Sequence, residues 1–236
     1  MTLFYIPNFG IQSPFLNEEE SHHAIKVLRL QKTDKVNLTD GLGNWYLAEI
    51  YNPNPKACEV KILQHISEYQ KRMTQIHIAI APTKNIERIE WFIEKSVEIG
   101  IDEISFLRCE HSERKQIKLE RLEKIAISAM KQSLKAYLPK VNDLINFDTF
   151  VLQNNHHQQK FIAHLEEDNP RPLRNVLNPN SNYCILIGPE GDFSPKEIEL
   201  AKQHGFQIVS LGNSRLRTET AGLVACHICN LLGENQ

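Results

Sequence analysis

The sequence lacks long hydrophobic runs, a signal peptide and a cysteine framework. No stretch approaches 18 consecutive apolar residues, so we expect no membrane-spanning helix. The amino terminus has neither the basic segment nor the apolar core of a secretory signal, which predicts a cytoplasmic protein. The five cysteines are scattered at positions 58, 109, 184, 226 and 229, and an odd, scattered set favours reduced thiols over disulfides.

An excess of charge of one sign is also missing. The 27 lysines and arginines nearly balance 29 aspartates and glutamates, which gives a formal net charge of −2. This balance excludes a whole-chain attraction to polyanions. A local basic excess occurs in residues 108–140, where nine basic residues face four acidic ones. From charge alone, a solvated helix surface is favoured there over a nucleic-acid contact.

The composition is typical of a globular protein of one or two domains, with 236 residues, 41% hydrophobic and 24% charged. The first 70 residues contain short segments rich in Val, Ile, Tyr and Trp between turn-forming residues. The predicted strands are Leu3–Ile6, Lys35–Thr39, Trp45–Ile50 and Ala57–Leu63, with one helix near Ser21–Leu30. This pattern predicts a small β-barrel domain over residues 1–70, and the polar stretch Ser67–Thr74 predicts a linker.

Strands and helices alternate over residues 74–236. The predicted strands include Ile76–Ile80, Asp102–Leu107, Phe161–His164, Tyr183–Ile187 and Phe206–Leu211. The predicted helices are 85–99, ended by Gly100, then Lys118–Leu134, and one that begins at Ser194 with Pro195 and Glu197 in a capping box. This alternation predicts an α/β domain with a mostly parallel sheet.

Two glycine-bearing loops follow predicted strands near the carboxyl end. The first is Gly188-Pro189-Glu190-Gly191, and the second begins at Leu211-Gly212. In open α/β sheets ligands bind beyond the carboxyl ends of strands, and glycine lets the backbone approach a flat ligand such as adenine. Two adjacent loops of this kind favour a ligand site over simple strand termination.

Neither loop carries a phosphate-binding signature. The spacing is not G-x-x-x-x-G-K-[ST] and not G-x-G-x-x-G, and the strand Phe206–Leu211 has no acidic residue that could hold a ribose hydroxyl. ATP and dinucleotides are therefore disfavoured as ligands.

The second loop continues into Leu216-Arg217-Thr218-Glu219-Thr220-Ala221. Together with Gly188-Pro189-Glu190-Gly191, this string resembles the RsmE family of 16S rRNA uridine-N3 methyltransferases, which belong to the SPOUT superfamily. Further similar segments are Lys95–Gly100, which resembles K-x-x-E-L-G; Ser112-Glu113-Arg114, which resembles S-E-R; and His23 with Val27-Leu28-Arg29, which is similar to H-x-x-x-V-L-R. The resemblance runs from about Phe4 to Leu232.

One departure from the family pattern lies in the middle helix. Where the family usually has E-Q-S-x-R, this chain has Lys131-Gln132-Ser133-Leu134-Lys135. The acid becomes a base, and the arginine becomes a lysine that cannot form the same bidentate contact.

The resemblance implies a fold, a cofactor and partners. The fold is a trefoil-knotted α/β methyltransferase domain over residues 74–236, preceded by a PUA-like barrel that binds RNA. The cofactor is S-adenosyl-L-methionine, and the substrate is 16S rRNA or the small ribosomal subunit, methylated on N3 of a uridine near the 3′ end. A homodimer is implied through the last helix, Ala221–Leu232, whose surface is mostly apolar.

The resemblance also implies the site residues. In catalysis Arg217 would stabilise charge on the uracil oxygens, Glu219 would orient Arg217 or balance the sulfonium, and Glu190 is the third choice. The expected cofactor-binding residues are Leu186, Ile187, Gly188, Pro189, Glu190, Gly191, Leu211, Gly212, Leu216, Arg217, Thr220 and Ala221. The expected RNA contacts are His23, Arg29, Lys84, Arg108, Arg114, Lys131 and Lys135. From the residues alone, Arg217 and Glu219 are better explained as a surface pair at a helix start.

Two other functions stay open at this stage. One is a SPOUT methyltransferase that modifies another RNA atom, and the other is a catalytically silent RNA-binding assembly factor. No metal is expected, because Cys226 and Cys229 form a lone C-x-x-C inside an apolar helix.

Overall fold

The chain divides into two compact units. The computed structural model describes residues 2–7, 9, 14–153, 158–164, 171–179 and 181–233. One unit is Met1–Lys71 with Ile127–Leu138, and the other is Arg72–Ala126 with Pro139–Gln236. The sequence predicted a boundary between residues 70 and 74. It did not predict that residues 127–138 belong to the first unit.

The first unit is built on a four-stranded sheet. Its elements are β1 (Leu3–Tyr5), α1 (Glu18–His22), a π-helical turn (His23–Val27), β2 (Lys35–Thr39), β3 (Trp45–Asn52) and β4 (Glu59–Ile66). The strand order is β1-β2-β3-β4, with β1 parallel to β2 and the other pairs antiparallel. Phe4, Leu38 and Ile50 are among the side chains of its core. The helix begins before the predicted Ser21, because Asn17 accepts the N–H of Glu20 and caps it.

The second unit contains a six-stranded sheet flanked by helices. Its elements are β5 (Gln75–Ile80), α2 (Ile86–Ile99), β6 (Glu103–Arg108), α3 (Leu119–Gln132), β7 (Lys140–Asn146), α4 (Phe147–Gln153), β8 (Gln159–Ala163), β9 (Asn182–Ile187), α5 (Pro195–Gln203), β10 (Gln207–Val209) and α6 (Thr218–Gly233). A 3-10 turn at Leu173–Asn175 precedes β9. Helix α3 begins in the second unit, and its residues from Ile127 onward belong to the first.

All strand pairs in the six-stranded sheet are parallel. The order is β10-β8-β9-β5-β6-β7, so β9 lies between β8 and β5. The predicted mostly parallel α/β domain is therefore confirmed. The threading of a knot through this sheet stays a prediction.

Local signals explain where the helices begin and end. Asn85 accepts the N–H of Glu87 and caps α2, and Gly100, with φ of 128°, ends it. The predicted capping box of α5 is present, since Ser194 and Glu197 bond reciprocally. Helix α6 begins at Thr218, three residues before the predicted Ala221. This earlier start places Glu219 in the first turn of the helix.

Candidate functional site

Three strand ends meet at one edge of the parallel sheet. In the register of the strands, Val209 of β10 is opposite Ala163 of β8, and Ala163 is opposite Ile187 of β9. Because the strands are parallel, the loops that follow them leave the sheet on the same side. They surround a cleft of about 150 Å³ in the second unit.

Most of the predicted cofactor residues line this cleft. They are Ile187, Gly188, Pro189, Glu190, Leu211, Gly212, Leu216 and Ala221. Four predicted residues lie outside its lining. Leu186 is buried in the core, and Gly191 lies exposed in the turn that follows β9. Arg217 and Thr220 line a neighbouring depression instead.

Half of the lining was not predicted from the sequence. The additional residues are Ala163, His164, Asp192, Val209, Ser210, Ser214, Arg215 and Thr218. Ala163 and His164 belong to the lining because β8 pairs with both β9 and β10. The rule that ligands bind beyond strand ends applies to β8 as well, but the sequence does not give the strand order that brings it here.

The first glycine-bearing loop, residues 188–193, is held by two other loops. The Glu190 carboxylate accepts the backbone N–H of Lys84 at 3.0 Å. The His111 Nδ1 atom lies 3.2 Å from the Gly191 carbonyl oxygen and 3.0 Å from that of Asp192. Both neighbours are acceptors, so this geometry requires the proton on Nδ1. The Glu190 side chain is thus held in place by the backbone after β5.

An acid–histidine pair lies at the β8 side of the cleft. The Nδ1 atom of His164 is 2.9 Å from Oδ2 of Asp192, and both residues line the cleft. Asp192 has a left-handed backbone with φ of 63°. Its other carboxylate oxygen accepts the N–H of Phe193 at 2.7 Å. Aspartate is one of the few residues besides glycine that tolerate this backbone, so the turn suits the residue that meets His164.

Gly212 gives the second loop its shape. Its φ is 129°, which side chains other than hydrogen rarely allow, and nothing lies within 4 Å of the position a Cβ would take. The backbone of this loop is therefore open to close approach by a ligand.

A depression adjoins the cleft and shares Arg215 and Leu216 with it. Here Glu219, at the start of α6, is 7% exposed. Its Oε1 atom lies 3.9 Å from Nε of Arg88 on α2, which is its ion-pair partner among the described residues. Arg217 is exposed at the same depression. Glu219 thus pairs with an arginine that the sequence did not indicate, and the orientation of Arg217 by Glu219 stays a prediction.

The predicted RNA contacts of the second unit have different surroundings. The Lys84 amine lies 2.8 Å from the Glu113 carboxylate, in a pair that is exposed to solvent. Arg114 donates to the carbonyl oxygens of Thr83 at 2.9 Å and Lys84 at 2.5 Å, and so holds the loop after β5. Arg108 is exposed at the end of β6.

The predicted RNA contacts of the first unit also differ from each other. The Lys131 amine lies 2.6 Å from the buried Glu20 carboxylate, which His23 approaches at 3.9 Å. Lys135 donates its backbone N–H to Met130 and closes the end of α3. Arg29 is exposed, with φ of 57°. Lys131 is therefore committed to an internal ion pair, whereas Arg29 presents its charge to solvent.

Within the described ranges, no group of three or more His, Cys, Asp or Glu residues could hold a metal ion. In those ranges, too, no helix is long and apolar enough to cross a membrane. Cys226 and Cys229 are buried in α6, and burial together with the nearby Cys226 raises the pKa of the Cys229 thiol.

Comparisons with known proteins cover nearly the whole chain. Residues 70–230 match the family model of an RNA methyltransferase domain, and residues 16–63 match that of an RNA methyltransferase PUA domain. The chain is 30% identical to ribosomal RNA small subunit methyltransferase E of Buchnera aphidicola, over 89% of this chain and 85% of that protein.

Two solved structures are similar over almost their full length. A probable rRNA methyltransferase from Porphyromonas gingivalis is 47% identical, with a TM-score of 0.91 and coverage of 99% of this chain and 98% of that one. A ribosomal RNA small subunit methyltransferase E from Neisseria gonorrhoeae, bound to S-adenosyl methionine, is 28% identical, with a TM-score of 0.90 and full coverage of both chains.

Proposed function

The chain belongs to the ribosomal RNA small subunit methyltransferase E family, and from this we infer that it transfers a methyl group from S-adenosyl-L-methionine to N3 of a uridine near the 3′ end of 16S rRNA. The observation that supports this best is the cleft beyond β8, β9 and β10, with its two glycine-bearing loops. A relative of the same fold binds this cofactor.

The residues of the cleft fit the chemistry of S-adenosyl-L-methionine. Ile187, Leu211 and Leu216 offer apolar contacts for adenine, and the open backbone at Gly212 allows it to approach closely. Arg215 is a cation for the carboxylate of the cofactor. Glu190 and Asp192 are acids for its ammonium group. The fit therefore covers the flat and the charged parts of the molecule.

The cofactor supplies an electrophilic methyl group, and the protein must align the uracil nitrogen with it. Positioning alone can lower such a barrier by several kcal/mol, with about 7–11 kcal/mol as the upper range. Uracil N3 becomes a better nucleophile when its proton leaves and charge spreads onto O2 and O4. Arg217 would stabilise that charge, and Glu219 and Glu190 are the acidic residues of the proposed catalytic set.

RNA binding would use exposed cations of both units. Arg29, Lys84 and Arg108 are exposed and suit phosphate contacts, which are salt-sensitive and blind to sequence. Arg114, His23, Lys131 and Lys135 complete the proposed set. Of these, Arg114 and Lys131 act by holding the surface in shape, since they bond to backbone carbonyls and to Glu20.

We also propose a homodimer that acts in the cytoplasm, where ribosomal RNA is made. Helix α6 buries Ala225, Cys226 and Cys229 within the second unit. Its Leu223, Val224 and Ile228 are only partly buried. A second apolar face on this helix fits burial against a second copy.

Primer extension on 16S rRNA tests the substrate. Reverse transcriptase stalls at a base that is methylated on its pairing edge, so deletion of the gene should remove one stall near the 3′ end. The gene on a plasmid should restore the stall. An unchanged pattern in the deletion strain would reject the substrate, and a lost ribose modification without a lost stall would favour a different target atom.

Calorimetry with S-adenosylhomocysteine separates an enzyme from a silent assembly factor. We expect this product of the methyl transfer to bind in the micromolar range. An absence of binding at hundreds of micromolar would leave the silent RNA-binding factor as the better explanation.

A further inference from the structure

The depression beside the cofactor cleft holds Arg217 and Glu219, but the function proposed above assigns it no ligand. It lies in the second unit, where the first half of α2 meets the start of α6. Its lining residues are Asn85, Glu87, Arg88, Trp91, Arg215, Leu216, Arg217, Glu219 and Thr220. Since Arg215 and Leu216 also line the cleft, a molecule in the depression would adjoin the cofactor.

Glu219, which lines this depression, has an unused acceptor. Its Oε2 atom is buried and has no hydrogen-bond partner in the described parts of the chain. The other oxygen is 3.9 Å from Arg88, at the long limit of an ion pair. A buried carboxylate oxygen without a donor is unfavourable, so this arrangement is suited to a ligand that brings a donor.

The charges around Glu219 complement the edge of uracil. That edge carries an N3–H donor between two carbonyl acceptors, O2 and O4. The depression offers a carboxylate to the donor, and the guanidinium groups of Arg88 and Arg217 to the acceptors. Cytosine has an acceptor at N3 and would face the carboxylate unfavourably. The site therefore discriminates between the two pyrimidines by hydrogen bonding.

Trp91 gives the depression an aromatic surface. It is 40% exposed and lies three residues after Arg88, on the same side of α2. A base that has left its stack is stabilised by stacking on such a side chain. The depression thus has both parts of a base pocket, a polar edge and an aromatic face.

Close packing of α2 and α6 creates this juxtaposition. A Cβ on Gly222 would lie 2.7 Å from the Phe92 ring, so the absence of a side chain there lets the two helices approach. Arg88 precedes Phe92 by about one turn, and Glu219 precedes Gly222 by three residues. Their meeting follows from that contact.

We propose that this depression binds the uracil of the target nucleotide, with Glu219 as the catalytic base, Arg88 and Arg217 at the uracil oxygens, and Trp91 against the ring. In the transfer, the N3 proton passes to the Glu219 carboxylate. The freed N3 electron pair forms the bond to the methyl carbon, and the carbon–sulfur bond breaks with its electrons on sulfur. The proton then leaves Glu219 to water. The proposal rests on the proposed function.

Tryptophan fluorescence tests the pocket without any transfer reaction. Uridine monophosphate should quench Trp91 emission in a saturable way, and cytidine monophosphate should bind about tenfold more weakly. Trp91→Phe should abolish the quenching. Glu219→Gln should weaken uridine monophosphate about tenfold and reduce the preference over cytidine monophosphate, because the amide can donate to cytosine N3. Glu199→Gln, an exposed acid on α5, is the matched control.

The outcomes separate this pocket from the proposed function. If uridine monophosphate fails to quench Trp91, or if Arg88→Met and Glu219→Gln leave its binding unchanged, the pocket is refuted even where the wild type methylates rRNA. If the nucleotide binds as expected but the rRNA stall persists in the deletion strain, the proposed substrate fails instead. If Trp91 emission changes with protein concentration and not with nucleotide, the depression is a contact surface for a second copy of the chain.

Discussion

Two residues at the proposed sites adopt a left-handed backbone that glycine adopts without strain. Arg29 has φ of 57° and Asp192 has φ of 63°. This region costs most L-residues, arginine included, about 1–2 kcal/mol, whereas aspartate tolerates it better. Residues kept in such a conformation are a reason to look for a role other than stability. At both positions the side chain supplies a charge where the proposed function needs one.

Arg29 offers a direct test of this trade between stability and function. Arg29→Gly should raise the free energy of unfolding by about 0.5 kcal/mol, since the relief of strain exceeds the added entropy of the unfolded chain. The same change should weaken RNA binding. It should also reduce the slope of log affinity against log salt concentration by about one, as expected for the loss of one phosphate contact. Urea denaturation and salt-dependent RNA titrations measure the two effects. Arg29→Lys keeps the charge and is the control; unchanged RNA affinity in Arg29→Gly would contradict the role.

Asp192 can be tested without disturbing its backbone. Asparagine tolerates the left-handed region as aspartate does, so Asp192→Asn should keep the turn and lose only the charge. We expect the affinity for S-adenosylhomocysteine to fall about tenfold, because a charge-assisted bond with His164 holds the loop at the cleft. Calorimetry measures this. His164→Gln should have a similar effect, and the double variant little more. Full affinity in either single variant would show that the pair does not support the cleft.

The sequence predicted the glycine-bearing loops of the cleft but not its acid–histidine pair. Gly188 and Gly212 follow recognisable strands, and the strand-end rule needs no further information. His164 and Asp192 are 28 residues apart, and they meet only because β8 and β9 are neighbours in the sheet. The partner of Glu219 was missed for the same reason, since Arg88 lies on a helix far away in the chain.

At the scale of the elements, the contact between α2 and α6 positions the residues of the proposed uracil pocket. An added Cβ at Gly222 would lie 2.7 Å from the Phe92 ring and 2.9 Å from Cδ1 of Ile80. We expect Gly222→Ala to destabilise the protein by about 1–3 kcal/mol through overpacking. Urea denaturation measures this loss. In the double variant Gly222→Ala with Phe92→Leu, the smaller leucine side chain should relieve the contact and restore part of the lost stability. A loss in the double variant equal to the sum of the two single losses would contradict the proposed clash.

The elements that the sequence missed are short or rich in turn-forming residues. The strand β7 and helix α4 occupy consecutive seven-residue stretches, and β7 contains two asparagines and an aspartate. Two central strands were found because Ile76, Ile78 and Ile80 alternate along β5, and because Cys184–Ile187 is an apolar run typical of a buried strand. Helix ends depend on single capping contacts, and α6 begins three residues earlier than predicted, with Glu219 in its first turn.

At the scale of the molecule, helix α3 links two units that the sequence treated as separate segments. Residues 127–138 are held in the first unit by the Lys131–Glu20 ion pair, and by the Thr39 hydroxyl, which donates to the Ala136 carbonyl. If the second unit unfolded alone, only Ile127–Gln132 of α3 would stay helical. So short a helix is unstable by itself. We therefore expect the two units to unfold together.

The buried cysteines can report this cooperativity. Burial raises the pKa of the Cys58 thiol to about 11, so at pH 8 it should react with thiol reagents only after unfolding. Cys58 lies in the first unit, and the cleft lies in the second. S-adenosylhomocysteine at about 100 times its Kd should stabilise the folded state by about 2.7 kcal/mol. Labelling at increasing urea concentration, followed by mass spectrometry, measures the effect. The ligand should shift the urea concentrations at which Cys58 and Cys184 are half-labelled by the same amount. A shift at Cys184 without one at Cys58 would mean that the units unfold independently and that α3 does not couple them.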